Sequence, residues 1–129
     1  MSTAAPRRIA SLATSVLLIV GSIGVAAAAS GTGHALTRDT KTVKAISTRW
    51  SPTTVRISAG DRIRWKAVSN SHTVTAYGGG WHFDGSLASG QVLRHRFAHA
   101  GTFRFRCQFH SSLVNGVCSG MCGKVVVTS

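Results

Sequence analysis

The sequence contains no glutamate, and its only carboxylates are Asp39, Asp61 and Asp84, against 15 lysines and arginines. General acid–base chemistry usually recruits carboxylates at tuned positions. With three in the whole chain, a hydrolase built on a carboxylate pair would need two of them to meet. Proline (two), methionine (two) and tyrosine (one) are also scarce. One methionine is the initiator, so no methionine-rich metal-carrying surface can be assembled. There are three cysteines, and an odd number leaves at least one thiol without an intramolecular partner.

The 129 residues fit one compact domain. Arg7 and Arg8 precede an apolar run from Ile9 to Val25 that ends in Ala26-Ala27-Ala28-Ala29. A basic start, a short apolar stretch and an A-x-A site are the marks of a secretory signal peptide, with cleavage expected after Ala29. The competing reading is an uncleaved anchor, for which the run is short against the span of about 20 residues that a bilayer requires. Cleavage leaves residues 30–129 with 13 lysines and arginines against the same three aspartates, a net charge of +10. Residues 30–41 are polar and read as a flexible lead-in, and 42–129 as the folded domain. An exported domain can keep disulfides, which changes how its cysteines are read.

From Thr42 onward the hydrophobic period is two. Ile63, Trp65 and Ala67 alternate with Arg62, Arg64 and Lys66; Phe103, Phe105 and Cys107 alternate with Arg104 and Arg106; Val55 and Ile57 flank Arg56. Such alternation is the signature of half-buried strands. Turn signals separate them at Ala59-Gly60-Asp61, Gly78-Gly79-Gly80, Ala88-Ser89-Gly90 and Ala100-Gly101. No window after the leader keeps a helical period, so the expected class is all-β, a sandwich or barrel. Arg56, Arg62, Arg64, Lys66, Arg94, Arg96, Arg104 and Arg106 fall on outward positions. A surface of one sign keeps a small protein soluble and favours anionic partners. No nucleic-acid-reading motif is present, and export removes that ligand. An acidic redox protein or an anionic cell-envelope surface is the expected partner, and the protein is expected to be monomeric.

Two segments carry the chemistry. Asn70-Ser71-His72-Thr73-Val74-Thr75 places a histidine at the start of a strand. Cys107 closes an alternating strand, His110 follows three residues later where a turn is expected, and Met121 precedes the last apolar strand, Lys124-Val125-Val126-Val127. One thiolate, two imidazoles and a weak thioether form the ligand set of a blue-copper electron-transfer site. Cys107, His110, Cys118 and Cys122 also spell Cys-x2-His-x7-Cys-x3-Cys, enough for a structural zinc site. Copper delivery is a further alternative. His34, His82, His95 and His99 read as ordinary surface or core residues, and Trp81-His82-Phe83 as either loop packing or an exposed docking patch.

The sequence resembles the small single-domain cupredoxins of the plastocyanin, pseudoazurin and amicyanin type. The likeness runs from about Ser51 to Val127. It is carried by Val55-Arg56-Ile57-Ser58-Ala59-Gly60-Asp61, Trp65, Ser71-His72-Thr73-Val74, Phe97, Ala100-Gly101-Thr102-Phe103, Phe105-Arg106-Cys107, His110 and Gly120-Met121-Cys122-Gly123-Lys124-Val125. The resemblance implies a Greek-key β-sandwich, one type 1 copper and single-electron transfer between larger proteins. It makes His72, Cys107 and His110 the equatorial ligands and Met121 the axial one. The spacing departs from the pattern at His-x10-Met, longer than in plastocyanin-like members, and the departure bears on Met121 more than on the other three. Within that enlarged loop the reading implies a Cys118–Cys122 disulfide, with Cys107 left as the free thiolate.

Overall fold

The structure is a computed structural model that describes residues 37–129. The expected leader, 1–29, and most of the expected lead-in lie outside the described residues. Nine strands follow in order: β1 (Thr40–Ile46), β2 (Arg49–Ser51), β3 (Thr54–Ser58), β4 (Arg62–Ala67), β5 (His72–Ala76), β6 (Asp84–Leu87), β7 (Val92–Arg96), β8 (Gly101–Val114) and β9 (Val117–Thr128). There is no helix among the described residues. β1 begins at Thr40, inside the segment expected to be lead-in.

The strands form two sheets, β2-β1-β4-β7 and β3-β9-β8-β5-β6. The chain crosses between them at five of its eight connections, β2–β3, β3–β4, β4–β5, β6–β7 and β7–β8. β1 runs parallel to β4, and β3 parallel to β9; the remaining pairs are antiparallel. The period-two pattern determines which side chains enter the space between the sheets. Val43, Ala45, Ile63, Trp65 and Ala67 enter from one sheet, and Val55, Ile57, Val74, Phe105, Cys107, Val125 and Val127 from the other, all buried.

Aromatic rings dominate this layer. Trp50 packs edge-on against Phe105 (centroids 5.2 Å apart), Phe105 against Trp65 (5.4 Å), and Trp65 stacks on Phe83 (5.5 Å), which stacks on Trp81 (6.0 Å). Burying one such ring is worth roughly 1.5–3 kcal/mol. Trp81 also donates its indole N–H to the Arg104 carbonyl at 2.9 Å. The Trp81-His82-Phe83 segment is therefore loop packing: Trp81 and Phe83 cover the core with Phe97 and Phe103, and His82 alone is exposed.

The buried Asp61 carboxylate accepts the amide N–H of Asp39 (2.8 Å) and of Ser58 (2.9 Å), tying the β3–β4 turn to the entry of β1. A buried carboxylate is tolerated when backbone donors satisfy it. Gly123 on β9 faces Phe105, and a Cβ there would lie 2.5 Å from the ring. Gly123→Ala is expected to cost about 1–3 kcal/mol by overpacking, read as a lower denaturation midpoint at unchanged m-value.

His95 sits on the inner side of β7, opposite Ile63, with its ring against Phe83 (5.1 Å) and Phe97 (4.8 Å). Burial holds its imidazole pKa below the ordinary value. The native state thus binds fewer protons there than the unfolded chain. Its contribution is complete above the unfolded value of about 6.5 and is lost as the pH falls from there through the lowered folded value. Partial exposure screens the effect. Melting temperatures recorded through that window should fall more steeply for the natural protein than for His95→Gln.

Candidate metal centre

All four sequence-predicted ligands lie on the β3-β9-β8-β5-β6 sheet. His72 opens β5, Cys107 and His110 lie in β8, and Met121 lies in β9. The β8–β9 ladder brings the last three together. Arg106 pairs with Cys122 and Ser111 pairs with Gly120, with a register break between. Four residues of β8, Cys107 to His110, therefore stand against one residue of β9, Met121. A bulge that leaves extra residues unpaired re-aims their side chains. Here it turns Cys107 and His110 towards one point at the end of the sandwich.

The donors converge. Cys107 Sγ lies 3.7 Å from His72 Nδ1 and 3.4 Å from His110 Nδ1. All three ligand atoms lie within 4.8 Å of one another. A metal bonded to sulfur at about 2.3 Å and to imidazole nitrogen at about 2.0–2.1 Å holds such donors roughly 3.5–3.8 Å apart, so the spacing fits one small ion. Cys107 and His72 are buried, and His110 is half-buried. Met121 is 1 % exposed, its side chain enclosed beside them.

Neighbouring groups orient each donor. His72 Nε2 is 2.8 Å from the Ser69 carbonyl. A carbonyl only accepts, so Nε2 carries the proton and Nδ1 presents its lone pair to the site. This is the usual way a metal-binding histidine is held. Asn70, at φ +62°, bends the chain between Ser69 and His72 to bring that carbonyl within reach. The Thr73 amide points at Cys107 Sγ at 3.4 Å. Thr73 also takes the Gln108 amide on its hydroxyl at 2.9 Å, pinning the bulge to β5. Trp50 lies against His72 (centroids 6.2 Å apart) and donates its indole N–H to the Met121 carbonyl at 3.0 Å. Sequence reasoning missed Trp50; its signal was the single inward position of the short Arg49-Trp50-Ser51 strand.

The stretch between His110 and Met121 departs from expectation. It was expected to be an enlarged loop, with a turn at His110. Instead β8 continues to Val114, turns at Asn115-Gly116 (φ +50° and +77°) and returns as β9. Asn-Gly with both φ values positive is the two-residue hairpin turn that matches strand twist. The result is a hairpin arm, Ser111–Val114 paired with Val117–Gly120. Phe109 (65 % exposed) lies beside His110, and Val114 (64 %) and Val117 (70 %) flank the turn at the tip of the arm.

Cys118 and Cys122 form a disulfide. Their Cα atoms are 6.2 Å apart across a separation of four, whereas four residues of straight strand span about 13 Å. β9 therefore bends sharply between them, at Gly120, whose φ is +96°. A Cβ at Gly120 would meet the His110 carbonyl oxygen at 2.5 Å. Pairing Cys118 with Cys122 removes both thiolates from the structural-zinc pattern, so that reading fails, and Cys107 is the free, buried cysteine. His72, Cys107 and His110 are the one group of three or more such donors among the described residues. Gly120→Ala should displace His110 and weaken binding of one equivalent of Cu(II) about tenfold or more, the scale seen for outer-shell changes, with the sandwich intact by circular dichroism.

No protein-family model matches the chain, and no curated protein does. Solved structures do. Amicyanin from Paracoccus versutus is 22 % identical, with 70 % of this chain and 82 % of that one covered at a TM-score of 0.56. A purple cupredoxin from Nitrosopumilus maritimus is 18 % identical, covering 68 % and 99 % at 0.54. A copper-containing nitrite reductase from Thermus scotoductus is 17 % identical, covering 70 % of this chain and 23 % of that chain at 0.59. At these identities the likeness is one of fold: the domain has the cupredoxin fold. No helix among the described residues is long and apolar enough to cross a membrane.

Proposed function

We propose that the protein is an exported type 1 copper protein that carries single electrons between redox partners. The observation that carries the reading is the convergence of Cys107 Sγ with the Nδ1 atoms of His72 and His110, with Met121 enclosed beside them. Two imidazoles, one thiolate and a thioether are the donor set of blue-copper sites. Copper, when bound, supplies a one-electron Cu(I)/Cu(II) couple. The chain's part is to keep the donors still. Ser69 holds the His72 ring, Thr73 donates to the Cys107 sulfur, and Trp50 braces the Met121 backbone. Donors held by a rigid sheet rearrange little when the charge at the site changes, and small rearrangement favours fast exchange.

The reading is of a carrier and not of an enzyme. What supports it is a buried sulfur beside a half-buried imidazole, which would give an electron a route from the site to the surface. His110, flanked by exposed Phe109 and the apolar arm, is the route by which the electron leaves. The partner is an acidic redox protein that meets this end. The basic, apolar start of the chain supports export. A copper-delivery role would use the same buried residues, and rapid self-exchange of electrons without loss of metal separates the two.

Stoichiometric Cu(II) should give an intense blue absorption and a narrow copper hyperfine splitting, and Cys107→Ser should abolish both. A colourless protein that keeps one equivalent of zinc would overturn the reading. Electron exchange with an acidic partner should slow as the ionic strength rises and the Debye length shrinks from about 30 Å at 0.01 M to about 10 Å at 0.1 M; a rate indifferent to salt would exclude electrostatic docking.

A further inference from the structure

The sheet that holds no metal ligand has an unusual outer face. Along β1, β4 and β7 the inward positions are apolar except His95 and, at the exposed start of β1, Lys41; the outward positions carry six cations, Lys44, Arg62, Arg64, Lys66, Arg94 and Arg96, with Thr40, Thr42, Ile46 and Val92 between them. They stand directly opposite one another across the ladder, Lys44 against Lys66, Arg64 against Arg94 and Arg62 against Arg96. Like charges placed directly opposite destabilise a sheet. Here the arrangement occurs three times on one face. The hydrogen bonds of the three carboxylates run elsewhere: Asp61 to backbone amides, Asp39 to the Thr40 amide, Asp84 to the Thr75 hydroxyl on the other sheet. Arg64 Nε is buried with no hydrogen-bond partner. The other sheet has one such pair, Arg104 against Lys124, and Val126 and Asp84 interrupt its remaining cations, Arg56 and Arg106.

We propose that this face docks the protein on an anionic lipid bilayer. A sheet face with cations on three adjacent strands presents an extended array of positive charge, complementary to the array of phosphates at an anionic bilayer surface. Juxtaposed cations that repel each other in the free protein are relieved when lipid phosphates lie between them. His72, Cys107, His110 and Met121 all belong to the opposite sheet. A molecule lying on its cationic face thus keeps His110 and the apolar arm available to a partner. The inference does not rest on the copper reading.

The test is co-sedimentation of the protein, metal-free and copper-loaded, with vesicles of phosphatidylcholine alone or in equimolar mixture with phosphatidylglycerol. The protein should bind the mixed vesicles and ignore the neutral ones, with or without copper. Arg64→Gln with Arg94→Gln should weaken binding about thirtyfold, at about fivefold for each basic residue near the surface. The same pair should raise the melting temperature by removing one repulsion, which shows that the variant is folded. Arg104→Gln with Lys124→Gln makes the same change in net charge on the other sheet and should leave binding unchanged. If the two pairs weaken binding equally, net charge alone is responsible and the face is not the docking surface. Retention of soluble polyphosphate with no binding to mixed vesicles would overturn the bilayer as the occupant.

Discussion

The register break between β8 and β9 is the constraint from which the rest of the site follows. Where four residues stand against one, the ladder cannot continue regularly, and Cys107 and His110 are turned to the same end of the sandwich opposite Met121. Everything nearby keeps that irregularity in place. The Thr73 hydroxyl takes the Gln108 amide, the Ser111 hydroxyl donates to the Cys107 carbonyl at 2.6 Å, and Gly120 admits the His110 carbonyl where a side chain would exclude it. An unpaired stretch within a long hairpin ordinarily frays. This one is held at the Gln108 amide by Thr73 and at the Cys107 carbonyl by Ser111, with the Cys107 side chain buried, so it is fixed without being regular.

The same constraint explains the disulfide. Cys118 and Cys122 lie on one strand, where the rise along the chain would normally keep residues four apart out of reach. They meet because β9 bends at Gly120, the residue that also gives way to His110. The bridge spans the bend and so acts on the hairpin arm and on Met121 together. It ties the arm to the site, which is why the long His-x10-Met spacing is compatible with an enclosed Met121.

The layers were legible in the sequence and the site's backbone was not. Ile63, Trp65 and Ala67, or Phe105 and Cys107, reveal their inward direction by simple alternation, because strand geometry has period two whatever the distant partners are. His72 and Cys107 were legible for the same reason, as residues at ends of alternating runs. The hairpin arm was missed although Asn115-Gly116 between Leu113-Val114 and Val117 is a hairpin signal. The family spacing drew attention to a loop, and Ser-rich flanks carry no apolar alternation. Trp50 was missed because a three-residue strand has too few positions to show a period. Its role arises from contacts 22 residues away at His72 and 71 away at Met121, which only the tertiary fold creates.

Charge is arranged with the same division of labour between the two sheets. One sheet carries the donors, the disulfide and the hairpin arm, with one opposed cation pair, Arg104 and Lys124; the other sets three such pairs on one face. A protein selected for stability alone would separate those cations or pair them, since surface ion pairs cost little to build and cross-strand repulsion lowers stability. With three carboxylates in the chain, one buried at a turn and none hydrogen-bonded to a basic side chain, this protein has forgone that remedy. The repulsion is small for each pair and is tolerated because the core beneath it, Trp65 between Val43 and Leu93, supplies far more than it removes. A folded sheet can therefore hold a field of one sign towards its surroundings. That field is long-ranged at low salt and acts before contact, whereas the apolar end around His110 acts only at contact. The two sheets thus differ in reach: one presents a field that acts at a distance, and the other an end that acts at contact.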